Sequence, residues 1–357
     1  MIRVLSAGAY SVSFRLREGY RIAGRSFTAA ENVILKVDTS DGRSGFGCAA
    51  PFEAVTGESP AVSLWTLRDR LIPLLRESDA ADPDGIASRA ALAAPQAPAA
   101  RAALDMALRD LAGQRAGAPL CRLLGAVRDR IPTSVTLGIF DTLEAAVDRA
   151  RRYVAEGFRI LKLKVGEDWE ADARLVETLR RTLGPEVVLR ADGNEGYGEA
   201  DAARFLRAAS AHGLELLEQP TSAQDDAALG RLSRLALAPI MADEALRSEE
   251  DAARLIEGGA VRLFNIKLMK TGGVGAALTI ARRAAAGGLG VMFGCNDESR
   301  IAIAAALHTA LAAPGDVRAD LDGHLDLQDD VARGGVLIRD GFIEPSGEAG
   351  LGVSVDA

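Results

Sequence analysis

From about residue 131 onward the chain repeats one pattern, a short apolar run followed by a longer amphipathic one. Parallel strands with covering helices require that alternation. Eight such runs begin near Thr133, Arg159, Glu186, Leu214, Pro239, Arg262, Gly290 and Arg318. Residues 168–183 show the helical half, with Leu175, Val176, Leu179 and Leu183 on one stripe and Gly184 closing it. A unit of about 25–30 residues repeated across roughly 200 is what an eight-stranded βα barrel needs. A doubly wound open sheet is the alternative, but it would gather its polar residues at one crevice and not at the end of nearly every strand.

The first third reads as α+β. Residues 4–16 and 31–38 alternate in polarity and lead through the turn Asp41-Gly42 into 43–48, an antiparallel meander. Helical spacing follows over 61–76 and 99–116, joined by a Pro- and Ala-rich linker, 79–98.

Chemistry-bearing residues recur at the ends of the barrel runs. Lys162 and Lys164 alternate with Leu161, Leu163 and Val165, so period two turns both lysines to the inner face. The next three runs end at Asp192, Glu218 and Asp243, and the one after carries Lys267. The steps from Lys164 are 28, 26, 25 and 24 residues, each one repeat unit. Neighbouring strand ends converge on one barrel mouth. Three carboxylates there would repel, and a hard divalent cation relieves this, with Mg²⁺ favoured over Zn²⁺ because no histidine or cysteine joins the set. Lysine is otherwise scarce: five lysines stand against 37 arginines, and only lysine of the two can serve as a base.

Lysines flanking a divalent ion point to proton transfer at a carbon next to a carboxylate. One lysine would remove the proton and the other return it on the opposite face, while the metal and Lys162 stabilise charge on the carboxylate oxygens. A free amine requires a lowered lysine pKa. A Schiff-base lyase also uses a barrel lysine, but it has no need of three carboxylates. Taken singly, each lysine and acid would read as a solvated strand end; it is the register of the whole set that argues otherwise.

Other features exclude whole classes. A net charge of −8 with no basic block argues against nucleic acid, and no apolar run reaches the roughly 18 residues of a membrane span, residues 301–313 coming closest. The start lacks a secretory pattern, and three widely spaced cysteines suit a reducing, cytoplasmic setting. The stretch 271–275 lacks the lysine of a phosphate loop, and His212, His308 and His324 do not share the acids' strand ends.

The segments Leu161-Lys162-Leu163-Lys164, 190–194, 217–220, 241–244 and 265–273 resemble the strand motifs of the enolase superfamily, muconate-lactonizing subgroup, with dipeptide epimerases of the L-Ala-D/L-Glu type as the nearest likeness. The resemblance implies a modified (β/α)7β TIM barrel over 126–325, an N-terminal α+β capping domain over 1–125, and a C-terminal segment, 326–357, returning to complete the cap. It implies one Mg²⁺ held by Asp192, Glu218 and Asp243, an acid/base pair in Lys164 and Lys267, and Lys162 assisting the enolate. It further implies a dipeptide as small-molecule substrate, no membrane or nucleic-acid partner, a homo-oligomer, and a place in recycling cell-wall peptides.

Within that subgroup, Asp320-Leu321-Asp322 resembles the pair that holds a dipeptide's α-ammonium, and Thr136 and Asn296 are expected beside the substrate. Arg25 stands six residues before Glu31, the spacing at which an arginine meets an acidic C-terminal side chain. These features make epimerisation of L-Ala-D/L-Glu at the C-terminal α-carbon the leading expectation. Asp297 would instead favour a polar or cationic N-terminal residue, so another dipeptide class is one alternative. N-acylamino acid racemase or cycloisomerase activity is a second, and a non-catalytic binding barrel a third. Cys48 stands where the family commonly has glutamate.

Overall fold

The structure is a computed structural model that describes residues 1–356. Three antiparallel strands open the chain, β1 (Val4–Ile22), β2 (Arg25–Thr39) and β3 (Ser44–Ala49), hydrogen-bonded in that order. The long β1–β2 hairpin turns at Ala23-Gly24, where Gly24 takes φ 69°, a left-handed conformation that glycine adopts without cost. The helix Pro98–Ala116 packs on this sheet. Its approach is so close that a Cβ on Gly47 would lie 1.8 Å from the Ala103 carbonyl oxygen.

Two sequence expectations differ from the cap as it stands. The helix expected over 61–76 is regular only for Pro60–Thr66, then widens over Leu67–Leu71 and tightens into a 3₁₀ stretch, Ile72–Glu77. Pro73 explains the break, because it has no N–H and its ring crowds the carbonyl four residues back. The linker expected over 79–98 contains a helix, Pro83–Ala93, started by Asp82, whose carboxylate accepts the Gly85 N–H at 2.9 Å, and by a proline in the first turn.

After the short β4 (Ile131–Pro132) come eight parallel strands: β5 (Val135–Leu137), β6 (Ile160–Lys164), β7 (Val188–Asp192), β8 (Leu214–Glu218), β9 (Ile240–Ala242), β10 (Leu263–Ile266), β11 (Gly290–Gly294) and β12 (Val317–Asp320). Each starts within two residues of its expected position and pairs with its neighbours in sequence. Seven long helices connect them, the first Leu143–Ala155 and the last Arg300–Ala312. A parallel bridge from Thr133 to Ala319 and the Ser134 N–H donating to the Ala319 carbonyl at 3.2 Å join first strand to last. The result is the expected (β/α)7β barrel under an antiparallel cap. Leu216, Met241, Leu263 and Met292 fill a small apolar cluster of their own among these strands.

The remaining strands are β13 (Ala332–Gly334), β14 (Val336–Arg339), β15 (Phe342–Pro345) and β16 (Val353–Val355). β15 pairs with β4, and Asp110 of the long cap helix accepts both the Leu351 N–H at 2.8 Å and the Phe46 N–H at 3.1 Å. One carboxylate thus ties together β3, the cap helix and the chain's last segment. Among the described residues no helix is long and apolar enough to cross a membrane.

Candidate active site

The mouth is assembled by register. Lys164 on β6 is directly opposite Asp192 on β7, and Asp192 is opposite Glu218 on β8. Asp243 follows β9 and Lys267 follows β10, so the acids lie between the lysines in strand order. Leu161 and Leu163 point the other way and are fully buried, which anchors β6 with its lysines inward.

The ammonium groups and carboxylates are directly paired. Lys162 Nζ lies 3.0 Å from Asp192 Oδ2, 3.0 Å from Glu218 Oε2 and 2.7 Å from Asp320 Oδ2. Lys164 Nζ donates to Asp192 Oδ2 at 2.7 Å, and Lys267 Nζ stands 2.8 Å from Asp243 Oδ2. Lys270 donates to Asp243 Oδ1 and to the Asn265 carbonyl at 3.0 Å. Asn265 Nδ2 donates to Glu218 Oε1 at 2.6 Å, and Gln219 Oε1 accepts the Asp243 N–H at 2.9 Å. Gln219 and Asn194 carry φ of 29° and 41°, so backbone strain is concentrated where the acids emerge.

Burial alone would push these acids up, but Lys162 and Lys164 outweigh it at Asp192 and hold it at about 2. Lys267, Lys270 and Lys162 likewise hold Asp243 low. Glu218 is pushed up to about 7 by burial and by the Asp192 charge, and Glu244 to about 8 by burial and Asp243. The lowered amine expected of the acid/base pair is not found at Lys267: burial works against its charge, yet Asp243 opposite it wins and raises its pKa. Lys162 is raised in the same way by Asp192, Asp320 and Glu218.

Among the described residues no three Asp, Glu, His or Cys side chains converge closely enough to hold a metal as they stand, because lysine ammonium groups are directly paired with the three acids. Glu218 Oε2 and Asp243 Oδ2 are nonetheless buried with no hydrogen-bond partner, facing ammonium groups without the geometry of a bond.

Lys162, Lys164 and Lys267 line a cavity of about 720 Å³ between the mouth and the β1–β2 hairpin. Thr136, Asn296, Asp297, Asp320 and Asp322 line it too. Asp297 accepts the Tyr20 hydroxyl at 2.8 Å and is pushed up to about 6 by burial. Asp322 accepts the Thr136 N–H at 2.6 Å, and burial and Asp320 push it to about 7. Asn296 donates to the Ala50 carbonyl at 3.0 Å. Arg25 is not brought to this lining: it is exposed, with its guanidinium 5.1 Å over the Phe52 ring. The lining arginines, Arg21 and Arg149, are each paired, with Asp141 at 2.6 Å and with Glu18. Sequence reading missed Tyr20, Ser134 and Lys270; for Lys270, its place among so few lysines was the available signal.

Residues 145–357 match the enolase C-terminal domain-like family, and residues 7–125 match the mandelate racemase/muconate lactonizing enzyme N-terminal domain. An L-Lys-D/L-Arg epimerase of Methylococcus capsulatus is 42% identical over 341 residues, covering 95% of this chain and 96% of that one. An L-Ala-D/L-Glu epimerase of Clostridium acetobutylicum is 35% identical, covering 96% of each chain. The crystal structure of a dipeptide epimerase from M. capsulatus, complexed with Mg and the dipeptide L-Arg-D-Lys, superposes with a TM-score of 0.94 at 41% identity over 98% of this chain and 99% of that one. The chain therefore belongs to the mandelate racemase/muconate lactonizing enzyme family of the enolase superfamily, and it is an isomerase.

Proposed function

We propose that this protein is a Mg²⁺-dependent dipeptide epimerase whose substrates carry cationic side chains. The observation that carries the reaction is the pair Lys164 and Lys267, set on opposite flanks of three buried carboxylates at one cavity floor. A substrate whose α-carbon lies between them loses its proton to the amine of one lysine and regains one on the opposite face from the ammonium of the other. Bonds and charge balance, and the configuration inverts. Lys162, a buried ammonium, faces the charge that develops on the adjoining carboxylate.

The oxygen-only donor set Asp192, Glu218 and Asp243, with two orphaned oxygens, fits a hard divalent cation. When bound, Mg²⁺ supplies further electrostatic stabilisation of the substrate carboxylate.

The cavity supports cationic substrates more than acidic ones. Its carboxylates Asp297, Asp322, Asp326 and Glu31 have no ion-pair partner among the described residues, whereas its arginines are already paired. This reading sets aside L-Ala-D/L-Glu, because Arg25, the residue expected to meet glutamate, lies outside the lining. The test is α-proton exchange in D₂O across a dipeptide library with saturating Mg²⁺. Lys- and Arg-containing dipeptides should exchange fastest. Equal or faster exchange at C-terminal glutamate overturns the cationic assignment, and no exchange on any dipeptide overturns the epimerase reading.

A further inference from the structure

Lys164 and Lys267 are each followed by a turn that a buried aspartate holds, but the two aspartates belong to different domains. After Lys164 the chain bends at Gly166, where φ is 117° and a Cβ would lie 2.5 Å from the Gly193 carbonyl oxygen. The Gly166 N–H donates to Asp172 Oδ2 at 3.0 Å, and the Tyr197 hydroxyl donates to the same oxygen at 2.6 Å. The Asp168 N–H also favours the charge of this carboxylate. Asp172 is on the helix Trp169–Leu183 and Tyr197 in the loop after β7, so this brace lies within the barrel.

Lys267 opens a single helical turn, Leu268–Thr271. Its carbonyl accepts the Lys270 and Thr271 N–H groups at 3.0 and 3.2 Å, and the Leu268 carbonyl accepts those of Gly272 and Gly273 at 3.0 and 3.2 Å. The next two N–H groups, of Val274 and Gly275, donate to Asp105 Oδ2 at 2.7 and 3.4 Å. Asp105 is on the cap helix. Its other oxygen accepts Arg109 Nε at 2.9 Å, and Arg109 also pairs with Asp84 at 2.5 Å. The approach is so close that a Cβ on Gly273, where φ is 128°, would lie 2.6 Å from Asp105 Oδ2. A second cap contact falls in the same turn, from the Ala50 N–H to Met269 Sδ at 3.2 Å. Lys270 thus fastens the middle of the turn to the barrel, while Asp105 fastens its end to the cap.

Resting on the epimerase reading above, we propose that the two aspartates are positioning residues for opposite faces of the substrate α-carbon: Asp105 places Lys267 from the cap, and Asp172, with Tyr197, places Lys164 from the barrel. The faces are separable by experiment. Exchange from one epimer requires only the lysine on its proton's side, which takes the proton and returns a deuteron acquired from D₂O. Inversion uses both lysines, and its two directions are tied by the equilibrium constant.

The test measures initial α-proton exchange in D₂O by NMR, from L-Lys-L-Arg and separately from L-Lys-D-Arg, with circular dichroism and melting curves confirming fold. Lys164→Arg and Lys267→Arg assign one epimer to each lysine. Asp105→Ala should slow the epimer assigned to Lys267 about tenfold relative to the other, and Asp172→Ala should shift the ratio the opposite way. Misplacing a reacting group by about 1 Å can cost 10²-fold, and Lys270 still holds part of its turn. Where an alanine variant does not fold, Asp105→Asn or Tyr197→Phe takes its place: the first turns a donor toward Val274 or Arg109, and the second removes one donor from Asp172. A merely structural role lowers both rates together. A ratio within about threefold of the parent's in folded variants of either brace, or both braces slowing the same epimer, overturns the proposal. Lys164→Arg and Lys267→Arg slowing the same epimer, or no exchange by the parent protein on either dipeptide, overturns the underlying epimerase reading instead.

Discussion

Replacing Lys270 by methionine isolates the energetic role of a buried ammonium. Its side chain is fully buried, and it donates to the carbonyls of Asp243 and Asn265 and to Asp243 Oδ1. Methionine fills much the same space and supplies no donor, so three acceptors each lose one donor at once, although the Asp243 carbonyl keeps the Leu246 N–H. Burial by itself disfavours the lysine charge and lowers its pKa, and replacing a whole buried pair by apolar groups can be neutral. Removing one partner is different, costing about 3–5 kcal/mol, because the other charge stays behind. Asp243 keeps Lys267 at 2.8 Å, which sets the expectation near the lower end, about 3 kcal/mol. At about 2.1 cal/mol/K per residue, 357 residues unfold with an entropy of about 0.75 kcal/mol/K, so the melting temperature should fall by about 4 °C. Differential scanning calorimetry at pH 7 reads this directly. A shift below about 1 °C would show that Asp243 does not depend on Lys270 for its charge, and the reasoning would be wrong.

Three further outcomes follow from the same geometry. Lys267→Arg keeps the charge but cannot act as a base, so kcat should fall about 10²–10⁴-fold; an inversion rate near the parent's would refute the two-base scheme. Asp297, pushed up to about 6 by burial, ionises above that pH, so KM for Lys- and Arg-containing dipeptides should rise as pH falls through 6 and flatten in Asp297→Asn. For stability the sign is opposite: with its folded value above the free one, ionised Asp297 weakens the fold fully above pH 6, and that penalty shrinks progressively as pH falls from 6 toward the free carboxyl value of about 4. A pH-independent KM between about 5 and 7.5 would remove Asp297 from substrate recognition. Gly47→Ala places a methyl 1.8 Å from the Ala103 carbonyl oxygen, so the cap helix must shift; about 1–3 kcal/mol or more should be lost in urea denaturation, and an unchanged midpoint would contradict the close approach.

The barrel was legible because its physics is periodic. Unit spacing alone put Lys164, Asp192, Glu218, Asp243 and Lys267 at consecutive strand ends, and alternation in β6 set the lysines inward. What escaped the sequence depends on contacts between distant elements. Ser134 meets Asp320 from 186 residues away across the barrel seam, and Tyr20 meets Asp297 from 277 residues away. No local pattern marks a serine or tyrosine for such a partner. Arg25 misled for the converse reason: its spacing to Glu31 is a property of one hairpin, whereas its side chain is drawn to Phe52. The raised pKa of Lys267 was not legible either, since residue types at strand ends do not reveal that its ammonium pairs directly with Asp243.

The Asp110 carboxylate that joins β3, the cap helix and the last segment has a consequence for how the chain is made. Its partner, Leu351, is translated 241 residues after it. At about 5–20 residues per second that interval lasts roughly 12–48 s, during which the N-terminal sheet and its helix leave the ribosome with the Leu351 bond unmade. The cap, made before the barrel, is thus completed only after it. A nascent cap must wait for β15 to cover the β4 edge and for Leu351 to reach the cap helix. Removal of the segment around Leu351 would take one donor from the Asp110 carboxylate and so weaken a domain far from it in sequence.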